Sequence, residues 1–567
     1  MTQPAIFQGP KDPALLNWNT ANLLDNNANL FGELSAISSL HQGVKWTYTD
    51  LQSKSKELAA RLVQNGIRPG DRIFLLAGNS VEFIQIFFAT TAIGAIVSLG
   101  NPIFSAVEFG EAIEAVEPRC VFISQKIGFR NNAALIDHAT KNVKKGSVVI
   151  LGGTGASIPE SCISFDELLT GSTSIEQQDV LTLEDFWGKS PASAPCCFQF
   201  TSGTTGKRKA SMLSHANLIN NANLVGYQLQ LSNSDTLCCC PPLSHCFGLV
   251  CGLLASCLHG STLIMPSEIF NPSLSLQGLR NEACTVLHAV PSMFEALLVQ
   301  EKKQRVNGAS DYSLRTGIIA GSTPPIDLLC SIRESLGLKS MLYPFGMTEL
   351  SAVCLCTSIG DSLIADNTSV GRAMPHTKVK VINGSGEVLP IDSPGELCVS
   401  GYLVHLGYFR NKEKSEEALH TDSSGEQWLR TGDLASLDQT GRCRIIGRSK
   451  DMIKRHGENI APKDIEDLLL AHPGVSRTAV VGVPHRKYGE AVVAFVELNS
   501  RSLLDEQDLK GWLRKKKLSP HKMPDYFFPV GDTEDALTEI PLNTSGKVLK
   551  TELRVVALEF LNRLAVK

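Results

Sequence analysis

The early part of the chain alternates between helical and strand patterns of apolar residues. Apolar side chains recur at helical spacing from Leu51 to Leu62, and Thr49 with Gln52 forms a capping box that predicts where this helix begins. The run RIFLLA then predicts a buried strand, because it is apolar without alternation, and a further helix is expected from about Ser80. Helices and strands in alternation predict an α/β fold in which helices cover parallel-rich sheets.

The apolar pattern changes character toward the C-terminus. A helix at PKDIEDLLL, two apolar strands and a basic helix at DLKGWLRKKKL follow one another, which predicts a small α+β unit. A chain of 567 residues also exceeds what one hydrophobic core usually supports, so at least two domains of unequal size are expected. We place their boundary in a polar stretch at Lys450, which gives a large N-terminal domain of residues 1–449 and a small C-terminal domain of residues 450–567.

Two apolar stretches resemble membrane spans in length but not in detail. The stretch at 83–100 contains Gln85 and breaks at a glycine, and the stretch at 246–265 contains His259 and Gly260 in a turn. Both are therefore predicted to belong to the core, and no transmembrane segment is expected.

Charge and cysteine content restrict the partners and the compartment. Lys and Arg number 53 against 57 Asp and Glu, a formal net charge of −4, and no long basic run is present, so nucleic acid is not expected as a partner. The N-terminus lacks the features of a signal peptide, and the ending LAVK does not match the peroxisomal S-K-L signal, so a cytoplasmic protein with reduced thiols is expected. The cluster Cys238, Cys239, Cys240 and Cys246 lacks the paired spacing of a zinc site, and buried strand cysteines are predicted there.

The most informative stretch is the polar run TSGTTGKRK, which begins at Thr201. Its glycines allow the backbone to approach an anion closely, its hydroxyl groups offer donors, and its basic residues add positive charge, so the run predicts a loop around nucleotide phosphates. It is not a Walker A loop, because Thr201 stands where that motif has its first glycine and Arg208 stands where it has a magnesium-binding hydroxyl. The candidate phosphate-binding residues are Thr201, Ser202, Gly203, Thr204, Thr205, Gly206 and Lys209.

This run resembles the phosphate-binding signature of the adenylate-forming superfamily, which includes acyl-CoA synthetases, luciferases and the adenylation domains of peptide synthetases. Further motifs similar to those of the family follow in the expected order over nearly the whole chain. They are YPFGMTE, GELCVSGYLVHLGYFRN, RTGDLA, GRSKDMIKRHGENIAPKDIED and PLNTSGK. The phosphate run and the GRSKD segment resemble the medium-chain acyl-CoA synthetase branch, although 4-coumarate-CoA ligase-like enzymes share most of these residues.

The resemblance implies an ATP-dependent acid:CoA ligase. Such an enzyme activates a carboxylic acid as an acyl-adenylate with release of pyrophosphate and then forms the acyl-CoA thioester with release of AMP, in fatty acid or secondary metabolism. ATP, Mg²⁺ and coenzyme A are the implied cofactors and co-substrates, and a small aliphatic or aromatic carboxylic acid is the implied substrate. The family fold implies that the small C-terminal domain is mobile, with Lys450 as the hinge.

The catalytic residues implied by the resemblance lie in three motifs. Thr348 and Glu349 belong to FGMTE, where Glu349 matches the family's single metal carboxylate, a hard oxygen ligand suited to Mg²⁺. Lys547 ends the NTSGK motif and matches the adenylation lysine, whose ammonium would neutralise charge as pyrophosphate departs. His245, in PPLSHCFGL, matches the residue at the mouth of the carboxylate site.

Other positions are implied to bind the nucleotide or to face the thiol acceptor. Asp433 matches the carboxylate that accepts hydrogen bonds from the ribose hydroxyls, and Arg448 matches a second ribose or phosphate contact. The segment with Gly457, Glu458 and Asn459 is implied to face the incoming thiol after the small domain has swung about its hinge. Further nucleotide-binding positions implied by the resemblance are Gly321, Ser322, Phe345 and Gly346.

Three departures from the family pattern bear on these expectations. Arg208 replaces a proline and Ala210 replaces a glycine after the phosphate run, which affects the rigidity of the loop and the approach of its backbone to the phosphates. Phe345 replaces a common tyrosine, which removes a hydroxyl but keeps a ring face for stacking. His456 stands where a second glycine is frequent in the related branch.

Two alternatives to a CoA ligase remain open from the sequence. The first is an adenylating enzyme that loads the pantetheine of a carrier protein in trans, since no G-G-x-S attachment site follows the last motif. The second is a non-catalytic nucleotide binder, which the departures at Arg208 and Ala210 suggest. The matches at Glu349, Asp433 and Lys547 oppose this second alternative.

Overall fold

The computed structural model describes residues 3–144, 146–152, 158–171, 181–201, 208–304, 312–455, 458–485, 488–499, 504–531, 537–542 and 548–566. The helices within these ranges are α1 (Thr20–Phe31), α2 (Tyr48–Gln64), α3 (Val81–Ala92), α4 (Ala106–Val116), α5 (Ala133–Asn142), α6 (Phe165–Thr170), α7 (His215–Gln228), α8 (Ala255–Leu258), α9 (Pro272–Asn281), α10 (Pro291–Gln304), α11 (Ile326–Leu336), α12 (Lys412–Ala418), α13 (Pro462–Leu470), α14 (Glu506–Lys515) and α15 (Lys550–Val566). A π-helical segment, Phe247–Leu254, leads directly into α8.

The strands are β1 (Ile6–Gln8), β2 (Ser35–Ser39), β3 (Val44–Thr47), β4 (Arg72–Leu76), β5 (Ile96–Leu99), β6 (Cys120–Ser124), β7 (Lys126–Ile127), β8 (Arg130–Asn131), β9 (Val148–Leu151), β10 (Ile163–Ser164), β11 (Pro195–Thr201), β12 (Lys209–Ser214), β13 (Thr236–Cys239), β14 (Thr262–Met265), β15 (Val286–Ala289), β16 (Thr316–Ile319), β17 (Pro344–Phe345), β18 (Leu355–Cys356), β19 (Arg372–Ala373), β20 (Thr377–Ile382), β21 (Gly395–Gly401), β22 (Leu419–Thr421), β23 (Gln427–Leu437), β24 (Cys443–Arg448), β25 (Ile453–Arg455), β26 (Glu458–Ile460), β27 (Val475–His485), β28 (Gly489–Leu498) and β29 (Tyr526–Val530).

Two sheets made largely of parallel strand pairs form the body of the N-terminal part. The first sheet has the order β10-β9-β6-β4-β5-β11-β12, and its one antiparallel pair is β11 with β12 at the edge. The second sheet has the order β16-β15-β13-β14-β2-β3, with an antiparallel pair only between β2 and β3. Their strands are buried on both faces because helices cover them, which confirms the predicted α/β class.

A third sheet is antiparallel and was not predicted from the sequence. Its order is β1-β20-β21-β23-β22, and β24 adds to β23. The N-terminal strand β1 pairs with β20, so the two ends of the N-terminal part meet in one sheet. The strands β23 and β24 carry two of the predicted nucleotide contacts on neighbouring positions.

The C-terminal part is the small α+β unit that the apolar pattern predicted. Its sheet has the order β26-β25-β28-β27, and β29 adds parallel to β28. Helix α13 lies where PKDIEDLLL predicted a helix, and the basic helix appears as α14. Two separate apolar clusters form on the β27–β28 pair because alternate residues of these strands point to opposite faces.

The start of α2 differs from the predicted capping box. Thr47 is the N-cap residue: its hydroxyl accepts from the Asp50 amide at 3.1 Å, and an Asp50 carboxylate oxygen accepts from the Thr47 amide at 2.9 Å. The prediction from Thr49 and Gln52 was therefore wrong, because a better pair at the same spacing precedes it. The Gln52 amide instead donates to a carboxylate on α1.

Both apolar stretches that resembled membrane spans belong to the core, as predicted. The first forms α3 and β5, and α3 begins after Ser80, whose hydroxyl accepts from the Phe83 amide at 3.2 Å. The second forms the π-helical segment, α8 and β14, with a turn at His259. None of the helices in the described part of the chain is both long enough and apolar enough to cross a membrane.

The 16 cysteines all lie in described residues, as free thiols. Each is buried except Cys330, which is partly exposed. Burial raises the pKa of the Cys120 and Cys257 thiols to about 12. Within the described ranges no group of three His, Cys, Asp or Glu side chains is placed to hold a metal ion. Cys238 and Cys239 are buried residues of β13, as predicted. The prediction of a strand was wrong for Cys240 and Cys246, which are buried too but follow β13 and precede the π-helical segment.

Candidate active site

The edge hairpin of the first sheet positions the two ends of the phosphate run. Thr201 ends β11 and Lys209 begins β12, and the two residues face each other as the last antiparallel pair. The candidate residues Ser202, Gly203, Thr204, Thr205 and Gly206 lie outside the described residues. The hairpin therefore fixes where the run leaves the sheet and where it returns.

Several buried polar atoms around this hairpin have no hydrogen-bond partner in the described part of the chain. They include both side-chain atoms of the Gln199 amide, the Thr201 hydroxyl and the Nε of Arg208. Buried polar groups in folded proteins are almost always satisfied, by protein or by ordered water or ligand. The hairpin therefore retains hydrogen-bonding capacity on the side where a phosphate-bearing ligand is expected.

Arg208, one of the departures from the family pattern, is held on two sides. Its guanidinium is ion-paired with Glu108 on α4, and its central carbon lies 4.5 Å from the centroid of the Phe104 ring. Helix α4 is itself capped by Ser105, whose backbone amide donates to Glu108 at 2.7 Å. The chain on the C-terminal side of the phosphate run is thereby anchored to a neighbouring helix.

Glu349 lies in a 3₁₀ turn, Thr348–Leu350, and is only 4% exposed. One of its carboxylate oxygens accepts a hydrogen bond of 2.8 Å from the Tyr408 hydroxyl. The ring of Tyr408 in turn lies under the Lys209 ammonium, which is 4.1 Å from the ring centroid. Burial lowers the pKa of Lys209, and the negative charge of Glu349 opposes that shift. The structure thus brings the predicted metal carboxylate and the predicted phosphate lysine to one place.

Tyr408 and His405 were not predicted as site residues. Both lie inside the GELCVSGYLVHLGYFRN motif, which is the signal that could have identified them. Nδ1 of the buried His405 lies 2.9 Å from the Ser211 hydroxyl of β12, and its ring packs edge-on against Tyr408 with centroids 4.9 Å apart. Burial lowers the pKa of His405 to about 4, so the imidazole is neutral near pH 7. Burial also raises the pKa of the Tyr408 phenol far above its usual range.

Phe345 and Gly346 lie on and beside β17, which pairs with β18. A Cβ added at Gly346 would stand 1.7 Å from the Ala352 carbonyl oxygen, so the backbone there leaves no room for a side chain. Phe345 is half-buried, and its role as a stacking face stays a prediction.

The loop with Gly321 and Ser322 follows β16 and is exposed. Gly321 has a φ of +100°, which favours glycine. The next residue, Thr323, accepts hydrogen bonds from the Tyr343 hydroxyl at 3.1 Å and from the Lys463 ammonium at 2.5 Å. Because Lys463 is on α13, this loop contacts the C-terminal part directly.

Asp433 and Arg448 are register partners on β23 and β24. Nε of Arg448 lies 3.4 Å from a carboxylate oxygen of the buried Asp433. Next to this pair a polar cleft of about 630 Å³ opens between the third sheet and the C-terminal part. Its charged lining residues are Glu396, Arg430, Arg448, Lys450, Lys454 and Glu490.

The thiol of one cysteine contacts both His245 and Thr348. The Sγ atom of Cys246 lies 3.7 Å from Nδ1 of His245 and 4.0 Å from the Thr348 hydroxyl. Nδ1 of His245 also accepts from the Phe247 amide at 3.1 Å, where the π-helical segment begins. π-helical turns are frequent at functional sites, and this one places His245 next to the Glu349 turn.

The remaining candidates have no described side chain. Lys547 and Gly457 lie outside the described residues, and so does His456. Glu458 and Asn459 lie in β26, which pairs with β25 through the backbone.

The residues around Glu349 fit Mg²⁺. This ion prefers hard oxygen ligands and is usually held by one or two carboxylates together with water and substrate phosphates. Glu349 supplies one carboxylate next to the phosphate hairpin, with the Thr348 hydroxyl on the preceding residue. A cage of several protein ligands is not needed for this ion.

Comparison with known proteins relates this arrangement to a family. The family model described as AMP-binding enzyme matches residues 24–409, and the model described as AMP-binding enzyme C-terminal domain matches residues 464–547. Acyl-CoA ligase sidI of Aspergillus fumigatus is 39% identical over 571 residues, which cover 99% of this chain and 95% of that protein. A mitochondrial medium-chain acyl-CoA ligase of Rattus norvegicus is 33% identical and covers 97% of this chain and 89% of its own length.

A solved structure extends the similarity to the whole fold. ATP-bound MatB from Rhodopseudomonas palustris has a TM-score of 0.79 to this chain and is 26% identical in sequence. The match covers 95% of this chain and 99% of that one, so both parts of the fold are included.

Proposed function

This chain belongs to the AMP-binding enzyme family, and from that membership we infer that it is an ATP-dependent acid:CoA ligase of the AMP-forming kind. It activates a small carboxylic acid as an acyl-adenylate with release of pyrophosphate. It then transfers the acyl group to the thiol of coenzyme A with release of AMP. The observation that carries this conclusion is full-length similarity to proteins named as acyl-CoA ligases.

The first half-reaction needs positive charge where the phosphates gather. A carboxylate oxygen attacks the α-phosphate, and negative charge develops on the departing pyrophosphate. We assign phosphate binding to the run between β11, which ends at Thr201, and β12, which begins at Lys209. The half-buried ammonium of Lys209 and the carboxylate of Glu349 both contact Tyr408. The unpartnered polar atoms of Gln199 and Thr201 support this assignment.

We assign Mg²⁺ binding to Glu349, with Thr348 beside it. When bound, Mg²⁺ supplies positive charge to the phosphate oxygens and fixes their geometry. The chain's own contribution is to hold the carboxylate at a buried position through Tyr408. Asp433, with Arg448 as its register partner, is assigned to the ribose hydroxyls.

The acyl group is assigned to the region of His245 and the π-helical segment. His245 lies beside Thr348, and the segment that follows is apolar and buried. An aliphatic or aromatic tail would be sheltered there from water. A screen of diverse carboxylic acids for CoA-dependent AMP release identifies the acid.

We further assign the adenylation lysine to Lys547 and the domain boundary to Lys450, with residues 1–449 and 450–567 as the two domains. The polar cleft lined by Lys450 supports a boundary there, because few apolar contacts would resist its opening. The segment of Gly457, Glu458 and Asn459 is assigned to the thiol acceptor after rotation.

The primary test is carboxylate-dependent exchange of labelled pyrophosphate into ATP. Exchange that depends on the acid separates an enzyme from a nucleotide binder. Comparison of free CoA with a pantetheinylated carrier protein then identifies the acceptor, and we expect CoA to be used. Absence of exchange with every acid would contradict the proposed function.

Replacement of Lys547 tests whether this residue acts in the first half-reaction and not in the second. Lys547→Ala should abolish pyrophosphate exchange and spare thioester formation from a supplied acyl-adenylate. Lys550→Ala is the matched control, because the Lys550 ammonium is engaged at 2.7 Å by Glu466. Lys450→Pro should have the opposite effect and impair thioester formation, and equal loss of both half-reactions in either variant would count against a moving domain.

A further inference from the structure

The backbone of the segment that carries Tyr408 is held by hydrogen bonds to two neighbouring elements. The backbone around it pairs with β12: the Met212 amide donates to the Gly407 carbonyl, and the Leu406 amide donates to the Met212 carbonyl, both at 2.9 Å. The Tyr408 amide donates to the Ser415 hydroxyl on α12 at 2.8 Å. Its ring therefore enters the site in one direction, set by the hairpin that also carries Lys209.

This one ring contacts two charged groups of opposite sign. Its hydroxyl donates to the Glu349 carboxylate at 2.8 Å, and its face lies 4.1 Å from the Lys209 ammonium. A hydrogen bond to a buried carboxylate fixes its rotamer, and a ring face attracts a cation. The side chain of Tyr408 itself is buried, so water does not replace these contacts.

The backbone of the Glu349 turn is held independently of the phenol. The His405 amide donates to the Glu349 carbonyl at 2.9 Å, and the Ser351 hydroxyl donates to the Leu403 carbonyl at 2.6 Å. Removal of the phenolic oxygen therefore leaves the turn in place and frees only the carboxylate.

We propose that Tyr408 is a positioning residue for the first half-reaction, acting through Glu349 and Lys209. It sets the distance and orientation between the metal carboxylate and the phosphate lysine before ATP binds. This inference rests on the proposed function, because it requires Glu349 and Lys209 to act on the phosphates of ATP.

Tyr408→Phe removes the hydrogen bond and keeps the ring under Lys209. Since a hydrogen bond to a charged group is stronger than one between neutral groups, kcat for pyrophosphate exchange should fall by about tenfold to a hundredfold, which corresponds to about 1.4 to 2.7 kcal/mol. Thioester formation from a supplied acyl-adenylate should stay within about twofold of the wild type, because that step does not use the phosphate-binding run. Tyr408→Leu, which also removes the ring, should lower exchange further.

A binding measurement without turnover separates positioning from general damage. Mn²⁺ serves as the paramagnetic probe, and its affinity is measured by electron paramagnetic resonance with ATP present and no carboxylic acid. The dissociation constant for Mn²⁺ should rise about tenfold in Tyr408→Phe. Its thermal unfolding midpoint should stay close to that of the wild type.

Tyr402→Phe is the matched control. The Tyr402 hydroxyl accepts from the Asn221 amide at 3.2 Å, so this variant also loses a phenol from the same segment but leaves Glu349 untouched. Exchange and Mn²⁺ affinity should be unchanged in the control. If Tyr408→Phe does not fold, Ser415→Ala provides a milder test, because it removes the hydroxyl that accepts from the Tyr408 amide and donates to the Asn411 carbonyl but leaves the phenol in place. It should weaken Mn²⁺ binding to a smaller extent.

The outcomes distinguish the inference from the proposed function. An inactive wild type would contradict the proposed function itself. An active wild type with equal Mn²⁺ affinity in Tyr408→Phe and Tyr402→Phe would overturn the role of Tyr408 alone. Equal loss of both half-reactions in Tyr408→Phe would also overturn it, since that result indicates a structural role.

Discussion

The ion pair between Arg208 and Glu108 lies at the position where the family pattern described in the sequence analysis has a proline. Proline restricts the backbone directly, whereas Arg208 restricts it through contacts with α4 and the Phe104 ring. We predict that breaking the pair loosens the chain next to the phosphate run. The perturbation is a double-mutant cycle of Arg208→Gln and Glu108→Gln.

The burial of the two side chains sets the expected magnitude. They are 21% and 35% exposed, so water screens the pair less than it screens a surface pair. We expect a coupling of about 1.5 kcal/mol, and a loss of about 1 kcal/mol more in Arg208→Gln from the missing ring contact. The side-chain oxygen that Glu108→Gln leaves in place can still accept from the Ser105 amide, so the cap of α4 is retained and does not enter the coupling.

Two measurements check this prediction. Denaturant unfolding gives the coupling free energy. Steady-state kinetics give KM for ATP, which should rise about tenfold in Arg208→Gln, a loss of about 1.4 kcal/mol in the free energy of ATP binding. The control pair is Arg410 with Glu117, which are 2.6 Å apart and 52% and 58% exposed, so that water screens them and a clearly smaller coupling is expected. Equal coupling in the two cycles, or an unchanged KM for ATP, would refute the reasoning.

Three further predictions concern stability and thiol reactivity. Burial lowers the pKa of His215 from 6.5 to about 4. The stability that the neutral imidazole contributes is therefore fully present above pH 6.5 and is lost as the pH falls toward 4. In His215→Gln the free energy of unfolding should depend less on pH in this range, by up to about 3 kcal/mol. Asp235→Ala should lower the free energy of unfolding by about 3–5 kcal/mol, because Asp235 is 4% exposed and is paired with Arg315 at 2.7 Å. Lys45→Ala breaks an exposed pair with Glu282 and should have a much smaller effect in the same denaturation assay. A thiol reagent should label the native protein at Cys330 first, and rapid labelling that persists in Cys330→Ser would contradict the burial of the other thiols.

The local elements of the N-terminal part could be predicted because their signals are local. The helix expected from about Ser80 and the apolar run of β4 have signals that are complete within a few residues, and the structure confirms both elements. The capping box at Thr49 failed for a local reason too, since Thr47 offered the same pattern closer to the strand. The antiparallel third sheet could not be predicted, because β1 and β20 are far apart in sequence and short.

In the candidate site too, residues with a local sequence signal could be predicted, and residues that depend on contacts between distant parts of the chain could not. The family and the ligase function that the motifs predicted are confirmed. The roles of single motif residues such as Glu349 and Asp433 could be inferred from the sequence and stay predictions. The role proposed for Tyr408 could not be inferred in this way, because it depends on the pairing of its segment with β12 and on a contact across the fold to Glu349. The assignments of Lys547 and of the boundary at Lys450 stay predictions.

The burial of the cysteines has a consequence for the chemistry of the intermediate. An acyl-adenylate is a mixed anhydride that a thiolate attacks readily, and the thiolate is the reactive form of cysteine. Cys354 lies directly behind Phe345, yet it is fully buried and its pKa is raised well above the usual range by burial. The Cys354 thiol is thus not a ready nucleophile for the acyl-adenylate, and it leaves the acyl group for a thiol that arrives from outside.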